Sequence, residues 1–308
     1  MDVLIVGSLA YDSLETPAGS VENELGGSAS YGGFSAAFHN NKNVGNGVGI
    51  VGVVGQDFKS EHLDWYKNAG LDVSGIEVNQ GETFRWKGSY HGSMAEAVTH
   101  ETHLNVFENF QPKVPKSLKK TKVLMCANLH PSLQSSVISQ TEVSRVSILD
   151  SMNLWIEIAH EELIDVIKQV DILILNDGEV RMLAGEENLI HAGKTVLEMK
   201  NGGILVVKKG ENGVIAFHPE GMISMPSFPT SDLVDPTGCG DSFAGSMAHY
   251  LSSKSGIITR EELAESLIHA TVTASFTIEK FGTERIRKLS AEEYESRLLE
   301  YRSITKTS

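Results

Sequence analysis

The chain has 308 residues, 41% of them hydrophobic and 21% charged, which suits a globular protein with a full core, as one large α/β domain or as two. The formal net charge of −14 at pH 7 argues against a nucleic acid or an anionic membrane surface as partner, because both are bound through a basic face. Phosphate-bearing ligands stay open, since backbone amides bind phosphate locally.

Cys126 and Cys239 lie far apart and make no disulfide pattern, which fits a cytosolic (cytoplasmic) protein. The N-terminus opens on Val3-Leu4-Ile5-Val6-Gly7 without a basic leader, and no apolar run approaches membrane-spanning length. That first run is continuous and apolar, as expected of a strand buried on both faces of a parallel sheet. Asp12, five residues past Gly7, is expected at the strand's carboxyl end, the edge where open parallel sheets bind ligands. Residues 13–25 are polar, with Pro17 and Gly19 as turn signals, and predict a hairpin outside the sheet. Gly26-Gly27-Ser28-Ala29-Ser30-Tyr31 then predicts a strand-to-helix junction open to a ligand. Gly26, Gly27, Ser28 and Tyr31 are its candidate substrate contacts.

Residues 47–52 match G-x-G-x-x-G, but the glycines fall inside a predicted strand, 48–54, so the physical basis of a dinucleotide fingerprint is missing. Residues 73–111 alternate apolar or aromatic with polar side chains, at Phe84, Trp86 and Tyr90 and again around 104–107. This predicts antiparallel strands with one wet face, forming a small β lid with residues 13–25. Arg85 and Asn105 are placed to reach a substrate from that lid. From about residue 121 the βα alternation resumes, with strands at 122–126, 146–149, 172–175, 204–207 and 213–217. Such alternation predicts a mostly parallel sheet covered by helices on both faces, hence an α/β fold of three layers. Asp150 ends one of these strands, and Asn128 follows another. Residues 303–308 are expected to fray.

The most informative stretch is 235–243, which reads D-P-T-G-C-G-D-S-F and leads into an apolar helix. A glycine turn opening a helix leaves backbone N–H groups unpaired beside the positive end of the helix dipole. The N–H groups of Gly238, Cys239 and Gly240 would hold charge developing on a phosphoryl group, and Asp241 beside them would take a proton from a hydroxyl. Cys239 at a helix N-terminus is also a candidate for a lowered thiol pKa, with small-residue packing as the alternative.

This nonapeptide resembles the C-terminal signature of the PfkB (ribokinase-like) carbohydrate and nucleoside kinases, D-T-x-G-A-G-D-x-F, with Pro236 and Cys239 as departures. The resemblance implies one ribokinase-like domain over 1–308, an α/β/α sandwich with a lid at about 13–25 and 73–111. It implies phosphoryl transfer from ATP, with Mg²⁺, to a hydroxymethyl group of a sugar or nucleoside. Asp12, Gly26 and Gly27 would hold the acceptor, with Asn128 near the cleft and Tyr31 where the family usually has Asn. Asn176-Asp177-Gly178-Glu179 matches N-x-x-E, which implies Asn176 and Glu179 near Mg²⁺, partly through water. Lys208, Gly210, Gly213, Thr237, Ala270 and Ala274 would line the nucleotide site. Asp235, with main-chain oxygens near Gly282, implies a monovalent cation such as K⁺. The family lid covers one chain or pairs two as a homodimer.

The aromatic lid favours a nucleoside-specific kinase over a free-sugar kinase, since the rings offer faces for a base. From other classes, a GDS-type hydrolase would use Ser242 as nucleophile, but a late D-x-x-H is missing. A non-catalytic sugar sensor would have no need of Asp241.

Overall fold

The computed structural model describes residues 1–42, 47–92, 94 and 97–306. Its strands, in chain order, are β1 (Val3–Val6), β2 (Ala10–Thr16), β3 (Gly19–Gly26), β4 (Val48–Gly55), β5 (Leu71–Asn79), β6 (Phe84–Tyr90) and β7 (Ala97–His103). They continue as β8 (Lys120–Cys126), β9 (Glu142–Asp150), β10 (Ile172–Asn176), β11 (Ile204–Lys208), β12 (Val214–His218) and β13 (Gly221–Met225). Nine of them form one sheet in the order β13-β12-β11-β10-β9-β8-β1-β4-β5. Pairing is parallel from β5 to β11, and the β11–β12 and β12–β13 pairs are antiparallel.

The apolar runs explain the layers. Side chains alternate across a strand, so a run that is apolar throughout must be covered on both faces. Ile5, Ile50, Met125, Ile148 and Ile174 point to one core, shared with helices Ser28–Lys42, Cys239–Ser252, Arg260–Thr277 and Ala291–Thr305. Leu149, Leu173, Leu175, Leu205 and Val207 point the other way, against helices His160–Ile167, Asp177–Ala184 and Leu189–Met199. Leu4, Val6, Leu124 and Cys126 extend that second face under helix Pro131–Gln140. The result is the expected α/β/α sandwich.

The small sheet has the order β3-β2-β6-β7 and differs from expectation in three ways. Its central pair, β2 and β6, is parallel, because β6 returns only after the chain has crossed the main sheet through β4 and β5. Residues 71–79, of which 73–79 were expected in the lid, pair instead with β4 at the edge of the main sheet. Residues 105–107 form a 3₁₀ turn in place of a strand. The lid residues 93, 95 and 96 lie outside the described residues. So do Thr307 and Ser308 of the segment expected to fray, whose first residues continue helix Ala291–Thr305. Among the described residues no helix is long and apolar enough to cross a membrane.

Candidate active site

Helix Cys239–Ser252 starts at Gly238, whose φ of 74° is left-handed. Glycine is required there on two counts. A Cβ would be strained by that φ, and it would stand 2.2 Å from the ring of Tyr31. Asp235 anchors the turn from below and is fully buried. Its carboxylate accepts N–H groups from Thr237 at 2.9 Å and Gly282 at 3.1 Å. Within the turn Cys239 N–H donates to Pro236 O at 3.2 Å. Among the described residues the N–H groups of Gly238 and Gly240 meet no backbone acceptor. Of the three N–H groups expected to form an anion hole, that of Cys239 is therefore already engaged.

Three neighbouring strands bring polar side chains to this turn at their carboxyl ends, two of them charged. Asp150 ends β9, Asn176 ends β10 and Lys208 ends β11. Lys208 Nζ bonds both carboxylate oxygens of Asp150, at 3.0 and 3.1 Å. A Cβ on Gly240 would lie 3.0 Å from the same Nζ, so the ammonium is pressed against the turn. Burial alone would pull the Lys208 pKa down, but the carboxylates of Asp150, Glu179 and Asp241 outweigh it and hold the pKa above its ordinary value.

Asp241 is pushed up to about 7, first by burial and then by the charge of Asp150, with Lys208 opposing. A base at that value is matched to work near neutral pH. Glu179 is likewise raised to about 7, chiefly by burial. Asn176 and Glu179 form a capping box: Asn176 N–H donates to the Glu179 carboxylate at 2.7 Å, and Glu179 N–H donates to Asn176 Oδ1 at 2.8 Å. The motif therefore has a structural use of its own, starting helix Asp177–Ala184. Among the described residues no three acid, His or Cys side chains converge as a metal cage. The oxygen donors that are present suit Mg²⁺, which keeps most of its waters and takes one or two carboxylates.

Asp12 lies on β2, in the small sheet, and not at the end of β1. Its carboxylate occupies the space a Gly26 side chain would fill, since a Cβ there would come within 1.8 Å. Gly27, at φ 93°, donates its N–H to the same carboxylate. Burial, Asp235 and Asp241 together push Asp12 up to about 8. The Tyr31 ring lies beneath Gly238, and its buried hydroxyl has no hydrogen-bond partner among the described residues. Tyr90 crosses from the small sheet to the turn, with its hydroxyl 3.3 Å from Thr237 Oγ1.

The raised Asp12 makes stability pH-dependent with a definite sign. An acid whose folded pKa stands above its unfolded value of ~4 binds more protons folded than unfolded across that interval. Its contribution is therefore fully favourable below the unfolded value and is lost as pH rises towards about 8. In Asp12→Asn the fall in melting temperature between about pH 5 and about pH 8 should be smaller than in the wild type. An equal fall in both proteins would take Asp12 out of the account.

Several expected contacts are not brought to the cleft. Arg85 stands opposite Tyr11 in the β2–β6 register and shares its face, where it stacks over the Tyr11 ring and pairs with Asp57 at 2.6 Å. Asp12 points to the other face. Asn105 Nδ2 is committed to Thr83 O at 2.9 Å. Asn128 accepts from Trp155 Nε1 at 2.8 Å and donates to Met152 Sδ. The Ser28 hydroxyl is exchanged with Ser8 at 3.1 Å, joining the end of β1 to the start of helix Ser28–Lys42. Ala270 is wholly buried in the helix layer, whereas Ala274 is one turn further on and its carbonyl accepts from Cys239 Sγ. Burial, with Asp235 and Asp241, pushes the Cys239 thiol up, against the lowered value its helix position suggested. Gly210 and Gly213 flank a 3₁₀ turn between β11 and β12, with open space beside Gly210. Ser242 is fully buried with no partner for its hydroxyl among the described residues, which removes it as a hydrolase nucleophile. Lys208 was expected at the nucleotide, but its pairing with Asp150 has no signal in a single sequence, because β9 and β11 meet Asp241 only through the sheet order.

Asp241 at this helix start and Asp12 on the small sheet thus lie near enough for the charge of one to raise the pKa of the other. The chain belongs to the pfkB family of carbohydrate kinases, whose pattern matches residues 2–288. A cytidine kinase of Thermococcus kodakarensis is 27% identical over 250 residues, covering 80% of this chain and 86% of its own. Among solved structures, the Burkholderia thailandensis nucleoside kinase in complex with inosine matches with a TM-score of 0.77 at 17% identity, over 99% of this chain and 100% of that one. A putative ribokinase II from E. coli in complex with ATP and Mg²⁺ also gives 0.77, at 18% identity, over 97% of this chain and 99% of that one. The protein is thus a sugar or nucleoside kinase with a ribokinase fold.

Proposed function

We propose that the chain transfers the γ-phosphoryl group of ATP to the hydroxymethyl group of a nucleoside. The observation that carries the nucleoside reading is the register Asp12↔Trp86 in the small sheet, which puts a buried carboxylate and a large aromatic ring on one face. Asp12, oriented by the N–H of Gly27, holds sugar hydroxyls, and Trp86 offers its ring to the base. Two similar proteins, named above as acting on cytidine or binding inosine, support the same choice.

Asp241 accepts the proton of the hydroxymethyl group as its oxygen bonds to the γ-phosphorus, and the bond from that phosphorus to ADP breaks. The N–H groups of Gly238 and Gly240 face the oxygens of the transferring group. Lys208, held by Asp150, adds positive charge beside Gly240. Mg²⁺, held near Glu179 and Asn176 partly through water, would neutralise phosphate charge. Thr237, Gly210, Gly213 and Ala274 line the nucleotide side. Asp235 accepts N–H groups from Thr237 and Gly282, so a K⁺ there would share its carboxylate oxygens with both. The small sheet covers the cleft and excludes water as a competing acceptor.

ADP release from Mg-ATP, measured with cytidine, inosine, adenosine, ribose, fructose and inositol in turn, tests the reading. Turnover at least about tenfold better with a nucleoside than with any free sugar is expected, a modest ratio for a stacked base at ~1–3 kcal/mol. A free sugar turned over best would overturn it.

A further inference from the structure

A concave pocket of about 260 Å³ opens between helix Ser28–Lys42, the end of helix Ser60–Asn68 and helix Glu284–Arg287. Its walls include Phe34, Phe38, Trp65, Asn68, Ile286 and Arg287. None of these residues belongs to the site of Asp12 and Asp241. The Arg287 guanidinium carbon lies 3.5 Å from the centre of the Trp65 ring, so the two are stacked. Arg287 Nε donates to Thr283 Oγ1 at 3.2 Å. Among the described residues its two terminal nitrogens meet no acceptor, and no carboxylate pairs with it. A half-buried, stacked arginine without a carboxylate partner among the described residues therefore lines the cavity.

We propose that this pocket is a second ligand site and takes a small aromatic monocarboxylate. Each part of that description comes from a wall. The open fork of Arg287 matches two carboxylate oxygens, and the stack on Trp65 fixes the plane of the fork. Phe38 and Trp65, both partly exposed, offer ring surface to a flat body, over a floor formed by the buried Phe34 and Ile286. The charge of the ligand is limited by Glu24, Glu61 and Glu284, which all act on Arg287 without pairing with it. Those acids repel a phosphate dianion more strongly than a carboxylate.

The test is titration of the full chain with sodium benzoate, following the indole N–H signals of Trp65, Trp86 and Trp155 by ¹H–¹⁵N NMR. The Trp65 signal is assigned from Trp65→Phe. A saturable shift of Trp65, with Trp155 unmoved, is expected. In Arg287→Gln the apparent affinity should fall about tenfold or more, the weight of a charge-assisted bidentate pair. Sodium phosphate at equal concentration should leave Trp65 in place. Absence of a Trp65 shift in the wild type overturns the site, and that titration decides even if the variant does not fold. An equal affinity in Arg287→Gln overturns the role of the fork. An equal response to phosphate overturns the assignment to a carboxylate.

Discussion

Asp241→Asn should lower turnover by about 10²–10⁴-fold, the usual size of a general-base contribution, and leave the fold intact. The substitution keeps the volume of the side chain, so the start of helix Cys239–Ser252 has no reason to move. It removes a half-buried carboxyl group whose pKa stands at about 7, so neutral-pH stability should hold or rise. The sign of the pH profile follows from the same value. Asp241 acts only when deprotonated, so wild-type kcat/KM should fall as pH drops through about 7, on the acid limb that reports the free enzyme. Steady-state kinetics with the acceptor found on the panel, together with a thermal melt, check both halves. A variant within tenfold of the wild type, correctly folded, would take Asp241 out of the chemistry.

Gly238→Ala is the second large effect, and it acts through geometry. The residue sits at φ 74°, which costs an alanine roughly 1–2 kcal/mol. Its Cβ would also stand 2.2 to 2.3 Å from three ring carbons of Tyr31. That ring is buried and cannot swing aside, so the turn itself must shift. A melting temperature lower by roughly 5 °C or more is expected, with activity lost beyond what stability explains, because the N–H groups of Gly238 and Gly240 shift with the turn. Tyr31→Ala made in the Gly238→Ala background should recover part of the loss, since it removes the clash and leaves only the backbone strain. Additive effects of the two substitutions would show that the ring and the turn do not touch. Gly210→Ala is the contrasting case: its φ is 52°, but a Cβ there meets open space, so only the backbone cost applies.

Tyr31 also shows how a site is shared between chemistry and packing. It occupies the helix position one turn after the Gly26-Gly27 pair and supports the glycine turn some two hundred residues later in the chain. Ser30 beside it bonds Gly26 O and the hydroxyl of Tyr66 at 2.5 and 2.7 Å, which ties the same helix start to helix Ser60–Asn68. The Gly26-Gly27 junction and the Gly238 turn are thus fixed by one helix end.

Much of this was present in local sequence. The apolar runs within β1, β4, β8, β10 and β11 are covered on both faces because either face left open would put apolar side chains in water. The G-C-G-D turn starts its helix where the missing side chains allow it, and Gly26-Gly27 makes the expected junction. These features are legible because they depend on residues within one turn or one strand of each other. Features that depend on the partner across the sheet were not. Residues 73–79 read as part of a half-wet lid, but pairing with β4 placed the whole of 71–79 at the edge of the main sheet. Arg85 looked free to reach a substrate until the β2–β6 register set it on the Tyr11 face beside Asp57. Cys239 has the helix position of an acidic thiol, yet burial beside Asp235 and Asp241 reverses the direction. Asp150, Glu179 and Asp241 gather round Lys208 only because β9, β10 and β11 are neighbours, and that order is set by how the whole chain buries its apolar surface. Sequence alone determined the elements and the reactive turn, since backbone conformation and hydrophobic periodicity are local. Tertiary structure decided which charges meet in the cleft, since burial and pairing between distant segments are not.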